Sequence, residues 1–328
     1  MKEAEIRSRT AHNTYLALVS ADAERLAQDH SAFAAIDCPC CGGRSIIEEF
    51  QKAGFRYVSC ESCATLFVNP RPTFDSLMAL YADSPSTRYW VEEFFKPMAE
   101  ARRARIFRPR AQYVAEHFPD VARGRVGDIG AGFGLFLEEL QALWPAANLV
   151  AIEPSADMAA ILRTKGIPVV EQLLEQVPPS EAGFDLLTAF ELFEHLHDPA
   201  GFLRHVARLL RPGGVLYLTT LSGFGFDIQV HWASSKSVSP PHHLNFANPA
   251  SMARLLERTG FDVIEIATPG ELDWDIVEGN WQQEGIDPGR LWRTVSRHGG
   301  DDAKRRLQGW IRESGFSSHL RAVARRRG

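Results

Sequence analysis

The sequence predicts an α/β protein with a mostly parallel, doubly wound sheet, preceded by a small metal-binding module. From about residue 125 onwards, apolar strand-like runs alternate with helical patterns, which is typical of a parallel sheet covered by helices on both faces. A glycine-rich turn follows the first of these runs. All five cysteines of the 328 residues lie between positions 38 and 63. This clustering indicates that the front of the chain forms a separate module.

The strands of the sheet are expected near residues 125–130, 148–153, 167–171, 184–190, 214–221 and 262–267. With 45% hydrophobic residues, a chain of this length can bury a full α/β core and still form a smaller module. The predicted domains are a leading helix (1–36), a zinc ribbon (37–72), a helical connector and lid (73–122), a cofactor-binding domain (123–272 with 317–328) and a helical insertion (273–316).

Charge argues against general attraction to nucleic acid or to anionic membranes, since the net charge is −5. The first residues lack the apolar core of a signal peptide, and no segment is long and apolar enough to cross a bilayer, so the expected location is the cytoplasm. The basic stretch from Arg321 to Arg327 is predicted to be a solvated strand edge rather than a nucleic-acid-binding surface.

The turn Gly130-x-Gly132-x-Gly134 predicts a nucleoside-containing cofactor. Glycines let the backbone approach a ligand closely at the start of a helix, and Glu153 at the end of the next strand can accept hydrogen bonds from both ribose hydroxyls. Asp128, two residues before the turn, would repel a pyrophosphate but suits a cofactor that carries an ammonium and a sulfonium. Nicotinamide enzymes use G-x-G-x-x-G instead, and an NAD(P)-dependent oxidoreductase is the alternative.

This turn resembles motif I of class I S-adenosylmethionine (SAM) methyltransferases, and residues 184–199, 209–218 and 260–266 continue the resemblance over about half of the chain. The resemblance implies a Rossmann-like, seven-stranded methyltransferase sheet with an antiparallel last strand at 318–325. It also implies that SAM contacts Gly130, Gly132, Gly134, Asp128, Glu153, Pro154, Glu171 near the adenine, and Phe190.

Arg110 resembles an arginine of ubiquinone-type O-methyltransferases that grips the SAM carboxylate. A guanidinium can bind a carboxylate through two hydrogen bonds. The alternative is that Arg110 belongs to a solvated helix face together with Arg102, Arg103, Arg105 and Arg108.

Two cysteine pairs, Cys38-x-x-Cys41 and Cys60-x-x-Cys63, are separated by 18 residues and predict a structural zinc site. Four thiolates close the zinc coordination shell and leave no position for water, so a catalytic role is not expected. Free thiols or redox chemistry are the alternative. Cys40 is a fifth thiol that could replace Cys41, although the two-residue spacing favours Cys41.

The candidate catalytic residues lie after two strands. Segment 222–246 is rich in glycine, serine and proline and contains His242 and His243. In sugar C-methyltransferases with a similar zinc ribbon, a histidine of the corresponding loop lies at the active site. The resemblance therefore implies His243, or its neighbour His242, as a general base. The alternative is a histidine that caps the following helix.

Glu191-x-x-Glu194-His195 has two interpretations. These residues either shape the substrate mouth without metal, or bind Mg²⁺, as a similar set does in some ubiquinone-type O-methyltransferases and small-RNA methyltransferases. The metal-free interpretation is preferred here, with His195 a further catalytic candidate.

The expected function is SAM-dependent methylation of a small-molecule acceptor, with O-methylation of a sugar-derived or other small metabolite preferred. One alternative is C-methylation of a nucleotide deoxysugar, although sugar C-methyltransferases usually carry a further C-terminal α/β domain. The others are an NAD(P)-dependent oxidoreductase and a nucleic-acid-binding zinc-ribbon protein. The sequence leaves the oligomeric state open.

Overall fold

The computed structural model describes residues 2–328, apart from the side chains of Asp83 and Phe94. Its first long element is helix α1, Arg9–Leu26, which the side chain of Ser8 caps by accepting a hydrogen bond from the backbone N–H of Ala11. Val19 and Ala23 of this helix are buried. Within the predicted leading segment 1–36, the long helix therefore covers residues 9–26.

The cysteine ribbon, residues 37–72, is an antiparallel meander. The strands of this part of the chain are β1 (Phe33–Ala34), β2 (Ile46–Lys52), β3 (Phe55–Cys60), β4 (Leu66–Val68) and β5 (Arg71–Pro72). Strands β2, β3 and β4 pair in sequence, and β1 pairs with β5 where the chain leaves the ribbon. Phe55, Tyr57, Phe67 and Val68 are fully buried.

The connector that follows is helical, as predicted. It contains α2 (Phe74–Asp83), α3 (Pro85–Tyr89), α4 (Ala99–Arg102) and α5 (Arg108–His117), with π-helical turns at Trp90–Phe95 and Arg103–Phe107. Thr73 and Ser84 cap α2 and α3. Within this connector, the ring of Phe95 stacks on Phe133 of the glycine turn, with ring centroids 5.1 Å apart. The connector therefore reaches the predicted cofactor region.

The remainder of the chain alternates strands and helices. In order they are β6 (Arg125–Ile129), α6 (Leu135–Leu143), β7 (Asn148–Ile152), α7 (Ala156–Thr164), β8 (Val169–Val170), β9 (Phe184–Phe190), α8 (Pro199–Leu209), β10 (Leu210–Leu221), α9 (Phe226–His231), β11 (Asn245–Phe246), α10 (Pro249–Arg258), β12 (Phe261–Ala267), α11 (Asp273–Glu284), α12 (Arg290–His298), α13 (Gly300–Glu313) and β13 (His319–Arg326).

Seven strands form the central sheet in the order β12-β13-β10-β9-β6-β7-β8. All neighbours run parallel except β13, which is antiparallel to both β10 and β12. This confirms the predicted fold, including the antiparallel last strand. Strand β8 has only two residues, and β10 begins earlier than predicted, with a register shift across Pro212-Gly213-Gly214.

Strand β13 lies between two partners, so the prediction of a solvated strand edge for Arg321 to Arg327 is wrong. The arginines pair with neighbouring elements instead: Arg321 of β13 binds Glu265, and Arg327, just after the strand, binds Asp262. The basic end of the chain is therefore occupied by contacts within the fold.

The core lies on both faces of the sheet because successive side chains of a strand point to opposite sides. In β9, Leu186 packs into one buried cluster and Leu187 into the other. Each fully buried leucine contributes about 1.5–3 kcal/mol relative to exposure. No helix among residues 2–328 is long and apolar enough to span a bilayer.

Strand β11 joins the ribbon rather than the central sheet. Asn245 and Phe246 pair antiparallel with Phe67 and Leu66 of β4, so that the ribbon sheet has the order β11-β4-β3-β2. The segment 222–246, which carries the candidate histidines, is thus anchored to the ribbon.

Candidate active site

The glycine turn leaves the carboxyl end of β6 in a left-handed backbone conformation. Gly130, Gly132 and Gly134 have φ values of +70°, +52° and +74°, which side chains other than glycine rarely adopt. A Cβ atom on Gly134 would also lie 2.5 Å from a methyl carbon of Leu162. At Gly132 the space is open, so that the turn presents bare backbone at the start of α6.

Glu153 folds back onto this turn. Its carboxylate accepts a hydrogen bond from the backbone N–H of Gly132 at 2.8 Å and another from the backbone N–H of Ser155 at 2.9 Å. Burial raises the pKa of Glu153, and these two bonds oppose the shift. A carboxylate has about four acceptor positions, so Glu153 retains capacity for the hydroxyls of a ligand.

Asp128 lies beneath the turn and is 3% exposed. It accepts a hydrogen bond of 2.6 Å from the hydroxyl of Thr188 on β9. Burial raises the pKa of Asp128 to about 7, because desolvation penalises the charged carboxylate. A nearby ligand cation would stabilise its ionised form.

Arg110 makes different contacts from the other arginines of its segment. Its guanidinium lies 2.5 Å from the carboxylate of Glu191 and 4.7 Å from the ring centre of Phe190. By contrast, Arg103 and Arg108 bind Glu138 and Glu139 on helix α6. The structure thus places Arg110 beside the carboxyl end of β9 and not on a solvated helix face.

Two predicted cofactor residues lie farther out. Glu171 follows β8 at the edge of the sheet, is exposed and forms an ion pair of 2.7 Å with Arg163. Pro154 follows Glu153 at the end of β7 and is also exposed. The structure does not bring Glu171 into contact with the glycine turn.

A cavity of about 440 Å³ lies where β9 ends, and Glu191 lies on its wall. Aromatic rings of the N-terminal helices form one side, with Tyr15 and Trp90 at a centroid distance of 4.8 Å. The predicted catalytic residues His195, His242 and His243 also line this cavity, together with Glu194. A second cavity of about 560 Å³ shares Glu191 and contains Arg110.

His243 is held in one tautomer. Its Nδ1–H donates to the backbone carbonyl of Ser237 at 2.6 Å, because a carbonyl oxygen can only accept. Nε2 is therefore the ring nitrogen left to accept a proton. Burial lowers the pKa of His243, which keeps the imidazole neutral near pH 7.

His242 and His195 are more confined. The Nε2 atom of His242 lies 3.2 Å from the hydroxyl of Ser86, and its ring stacks on Tyr81. Burial lowers the pKa of His242 to about 4. Burial also lowers the pKa of His195, whose ring lies 4.9 Å from that of His243.

The structure does not gather Glu191, Glu194 and His195, the residues that the alternative magnesium interpretation requires. Glu191 instead accepts hydrogen bonds from Arg110 and, at 2.7 Å, from Thr219. Although burial opposes the shift, the charges of His319 and Arg110 and these bonds lower the pKa of Glu191. Ligand atoms of Glu194, His195 and His243 lie within 4.8 Å of one another, and burial next to Glu191 raises the pKa of Glu194.

The structure brings together the sulfurs of Cys38, Cys41, Cys60 and Cys63, all within 4.8 Å of one another. The Sγ atoms of Cys38 and Cys63 are 3.6 Å apart, and those of Cys41 and Cys60 are 3.5 Å apart. Tetrahedral zinc with Zn–S bonds of about 2.3 Å requires sulfurs about 3.8 Å apart. The donor set therefore suits zinc, and Cys40 stays outside it.

Sequence reasoning missed the aromatic side of the first cavity. Tyr15 lies on α1, and helical periodicity does not distinguish a ring that packs in a core from one that faces a cavity. Tyr81 and Trp90 lie in the helical connector, where the same ambiguity holds. In the insertion, Trp274 and Trp292 pack around Phe226.

Comparison with known proteins agrees with this geometry. Residues 98–266 match a family described as a methyltransferase domain. The chain is 30% identical over 171 residues to a "Ubiquinone biosynthesis O-methyltransferase" of Xanthomonas oryzae pv. oryzae (strain PXO99A), with 48% of this chain and 70% of that protein covered. A protein of the same description from Erwinia tasmaniensis is 26% identical over 198 residues, covering 58% of this chain and 73% of that protein.

Among solved structures, the plantazolicin methyltransferase BpumL, in complex with a monoazolic desmethylPZN analog and SAH, has a similar fold. The TM-score is 0.50 at 15% sequence identity, with 77% of this chain and 94% of that chain covered. This similarity supports the arrangement of strands and helices described above.

Proposed function

We infer the reaction from one premise: the chain belongs to the methyltransferase-domain family and is a SAM-dependent methyltransferase. We propose that it methylates an oxygen atom of a small hydroxylated metabolite. The observation that carries this proposal is the position of His243 in the cavity beyond β9, with Nδ1 bound to the carbonyl of Ser237 and Nε2 left as a proton acceptor.

The cofactor is proposed to bind across the glycine turn. Glu153 would bind the ribose hydroxyls, with Gly130, Gly132 and Gly134 beneath the ligand. A pyrophosphate would need hydrogen bonds from backbone N–H groups of this turn, but the N–H of Gly132 already donates to Glu153. Asp128 adds a second acidic group. Both observations favour a cationic thioether nucleoside over a dinucleotide. Arg110 would release Glu191 and bind the carboxylate of the cofactor instead.

His243 is proposed to remove the acceptor proton. SAM supplies an electrophilic methyl group when bound. The protein then has to hold the acceptor oxygen in line and take up its proton, and positioning alone can contribute about 7–11 kcal/mol. A neutral imidazole held in one tautomer suits the second task, with a further contribution of about 10²- to 10⁴-fold.

The four ribbon cysteines are proposed to hold structural zinc. The ribbon is small, and metal binding in comparable modules supplies about 10–16 kcal/mol of apparent free energy. We also propose residues 37–72 as a separate domain, because bound metal would stabilise them as a folded unit.

A direct test uses purified protein, SAM, and a panel of phenols and sugar nucleotides, with products read by mass spectrometry. We expect a gain of one methyl group on a hydroxyl-bearing acceptor, and a fall in kcat of about 10²-fold or more for His243→Gln. His298→Gln, which alters an exposed histidine of α12, is the matched control. An unchanged kcat in His243→Gln would refute the assignment of His243 as the base. Calorimetric binding of NAD but not of SAM would refute the assignment of SAM as the cofactor.

A further inference from the structure

Arg71, in the Pro-Arg-Pro sequence where the chain leaves the ribbon, is fully buried. Its guanidinium donates to three different segments: Nε to the carbonyl of Val68 at 3.4 Å, Nη1 to the carbonyl of His197 at 2.8 Å, and Nη2 to Oδ1 of Asn245 at 2.9 Å. Burial lowers its pKa to about 10, so the guanidinium is still charged at neutral pH. Burying a cation costs desolvation free energy, and hydrogen bonds offset this cost only while they are kept. The three contacts of Arg71 therefore restrain the segments that they join.

Two partners of Arg71 adjoin segments that line the 440 Å³ cavity, namely the turn after β9 and the histidine segment. His197 ends the turn that carries Glu194 and His195, and Asn245 lies two residues after His243. Asn245 also donates from Nδ2 to the carbonyl of Leu196 at 2.7 Å. Arg71 and Asn245 thus hold the turn after β9 against the histidine segment.

Tyr57 holds the same segment from the ribbon. Its hydroxyl donates to the backbone carbonyl of His243 at 2.9 Å, and its fully buried ring stacks on Phe50 at 5.0 Å. Next to it, the backbone N–H of Val68 donates to the carbonyl of Leu244 at 3.0 Å. The backbone of His243 is therefore fixed by strands β3 and β4.

The ring of His243 depends on a second ribbon contact. Its acceptor, the carbonyl of Ser237, belongs to a loop whose serine hydroxyls, those of Ser235 and Ser237, donate to the buried carboxylate of Asp227 at 2.7 and 2.6 Å. From the ribbon, the ammonium of Lys52 donates to the carbonyl of Ser235 at 2.8 Å. The loop that sets the tautomer of His243 is thus bound to the end of β2.

The same contacts extend to the cysteine knuckles. The side chain of Asn248 donates to the carbonyl of Cys63 at 2.8 Å, and Arg258 donates to the carbonyl of Cys40 at 3.0 Å. By contrast, the contacts that fix Glu153 come from Gly132 and Ser155, within the central domain. These hydrogen bonds therefore connect the ribbon to the acceptor side of the site, whereas Glu153 is held by groups of the central domain.

We propose that the cysteine ribbon forms part of the acceptor site, with Arg71 and Tyr57 as positioning residues that hold His243 and the Glu194–His195 turn in register. This inference rests on the proposed function, because the position of His243 matters only if it accepts a proton there. The ribbon then determines where the acceptor hydroxyl meets its base, and cofactor binding is independent of it.

The test compares Tyr57→Phe and Arg71→Lys with wild type in the full, zinc-loaded chain. Tyr57→Phe removes one hydroxyl and retains the ring, whereas lysine at position 71 cannot reproduce the three-way guanidinium contact. Arg56→Lys is the matched control: Arg56 lies on the same strand as Tyr57 and donates to the carbonyl of Asn69 at 2.7 Å, but it is partly exposed.

Two measurements need no identified acceptor. Calorimetric titration with S-adenosylhomocysteine should give dissociation constants within about twofold of wild type in all variants. Long-range ¹H–¹⁵N spectra of histidine-labelled protein, with His243 assigned from His243→Gln, should show a single Nδ1–H tautomer in wild type and in Arg56→Lys. Tyr57→Phe and Arg71→Lys should instead show a mixture of tautomers.

On an acceptor found in the product screen, kcat/KM should fall at least tenfold in Tyr57→Phe and Arg71→Lys but not in Arg56→Lys. If both variants keep the wild-type His243 spectrum and kcat/KM, the positioning role is refuted. If Arg71→Lys does not fold, the spectrum and kcat/KM of Tyr57→Phe alone decide whether the positioning role holds. A wild-type chain that neither binds S-adenosylhomocysteine nor transfers methyl groups would refute the proposed function instead.

Discussion

Glu153 shows how a single side chain defines the predicted cofactor pocket. Its carboxylate is bound by two backbone N–H groups, one of them from the glycine turn itself. Such preorganisation reduces the entropy that the side chain loses when a ligand binds. The same two bonds fix the direction in which its remaining acceptor positions point.

Replacing Glu153 by glutamine should weaken binding of S-adenosylhomocysteine about 10- to 100-fold. Hydrogen bonds to a charged group contribute about 1.5–3 kcal/mol, and the neutral amide also presents a donor where the ribose hydroxyls need an acceptor. Isothermal titration measures the effect. Glu175→Gln, at an exposed position beyond β8, should bind like wild type. Equal affinities for the two variants would exclude Glu153 from the ribose site.

The individual site residues could be predicted only where sequence pattern and chemistry coincide. The glycine spacing and the strand-end glutamate predict Glu153, because both are local features. Arg71 could not be predicted as a buried residue, since arginines are mostly exposed. Its burial depends on contacts with His197 and Asn245, which lie more than 120 positions away in the sequence.

At the scale of elements, the central sheet follows from apolar strands that alternate with helices. The parallel strands β6, β7 and β9 are buried on both faces and read as nearly continuous apolar runs. Strand β11 could not be predicted in the same way. It has two residues, within a segment rich in glycine, serine and proline, and its pairing with β4 joins distant positions.

The cysteine ribbon leads to a prediction about metal content. Cys41→Ser should lose the bound zinc, because it removes one of the four clustered sulfurs. Cys40→Ser should retain one zinc per chain, even though burying a hydroxyl at this fully buried position lowers stability. Atomic emission spectrometry of the purified variants measures the ratio. Loss of zinc from Cys40→Ser together with its retention in Cys41→Ser would reverse the assignment.

At the scale of the whole molecule, buried imidazoles govern the response to acid. Burial lowers the pKa values of His12, His195, His242, His243 and His319 from 6.5. The unfolded chain therefore binds more protons than the folded chain below pH 6.5, and stability falls as the pH drops. Asp128, Glu153 and Glu194, whose pKa values burial raises, act in the opposite direction. Burial also lowers the pKa values of His197 and His231, so that the histidines outnumber these carboxyls.

The free energy of unfolding should consequently decrease between pH 7 and pH 5. Below pH 6.5, His12 and His242 each contribute about 1.4 kcal/mol per pH unit to this loss, and the raised carboxyl pKa values offset part of it. Urea titrations at the two pH values measure this difference. His242→Asn should reduce the pH dependence, whereas His298→Gln, on the exposed surface of α12, should leave it unchanged. A protein equally stable at both pH values would contradict the predicted dominance of the buried histidines.

The pairing of β11 with β4 also bears on how this chain can be rearranged. Residues 245 and 246 complete the ribbon sheet, although five strands of the central sheet lie between them and the rest of the ribbon in the sequence. A ribbon grafted from a relative would therefore meet a foreign edge strand, and a ribbon cut away would leave that strand without its partner. Exchange of acceptor preference between such enzymes would require both stretches to be transplanted together.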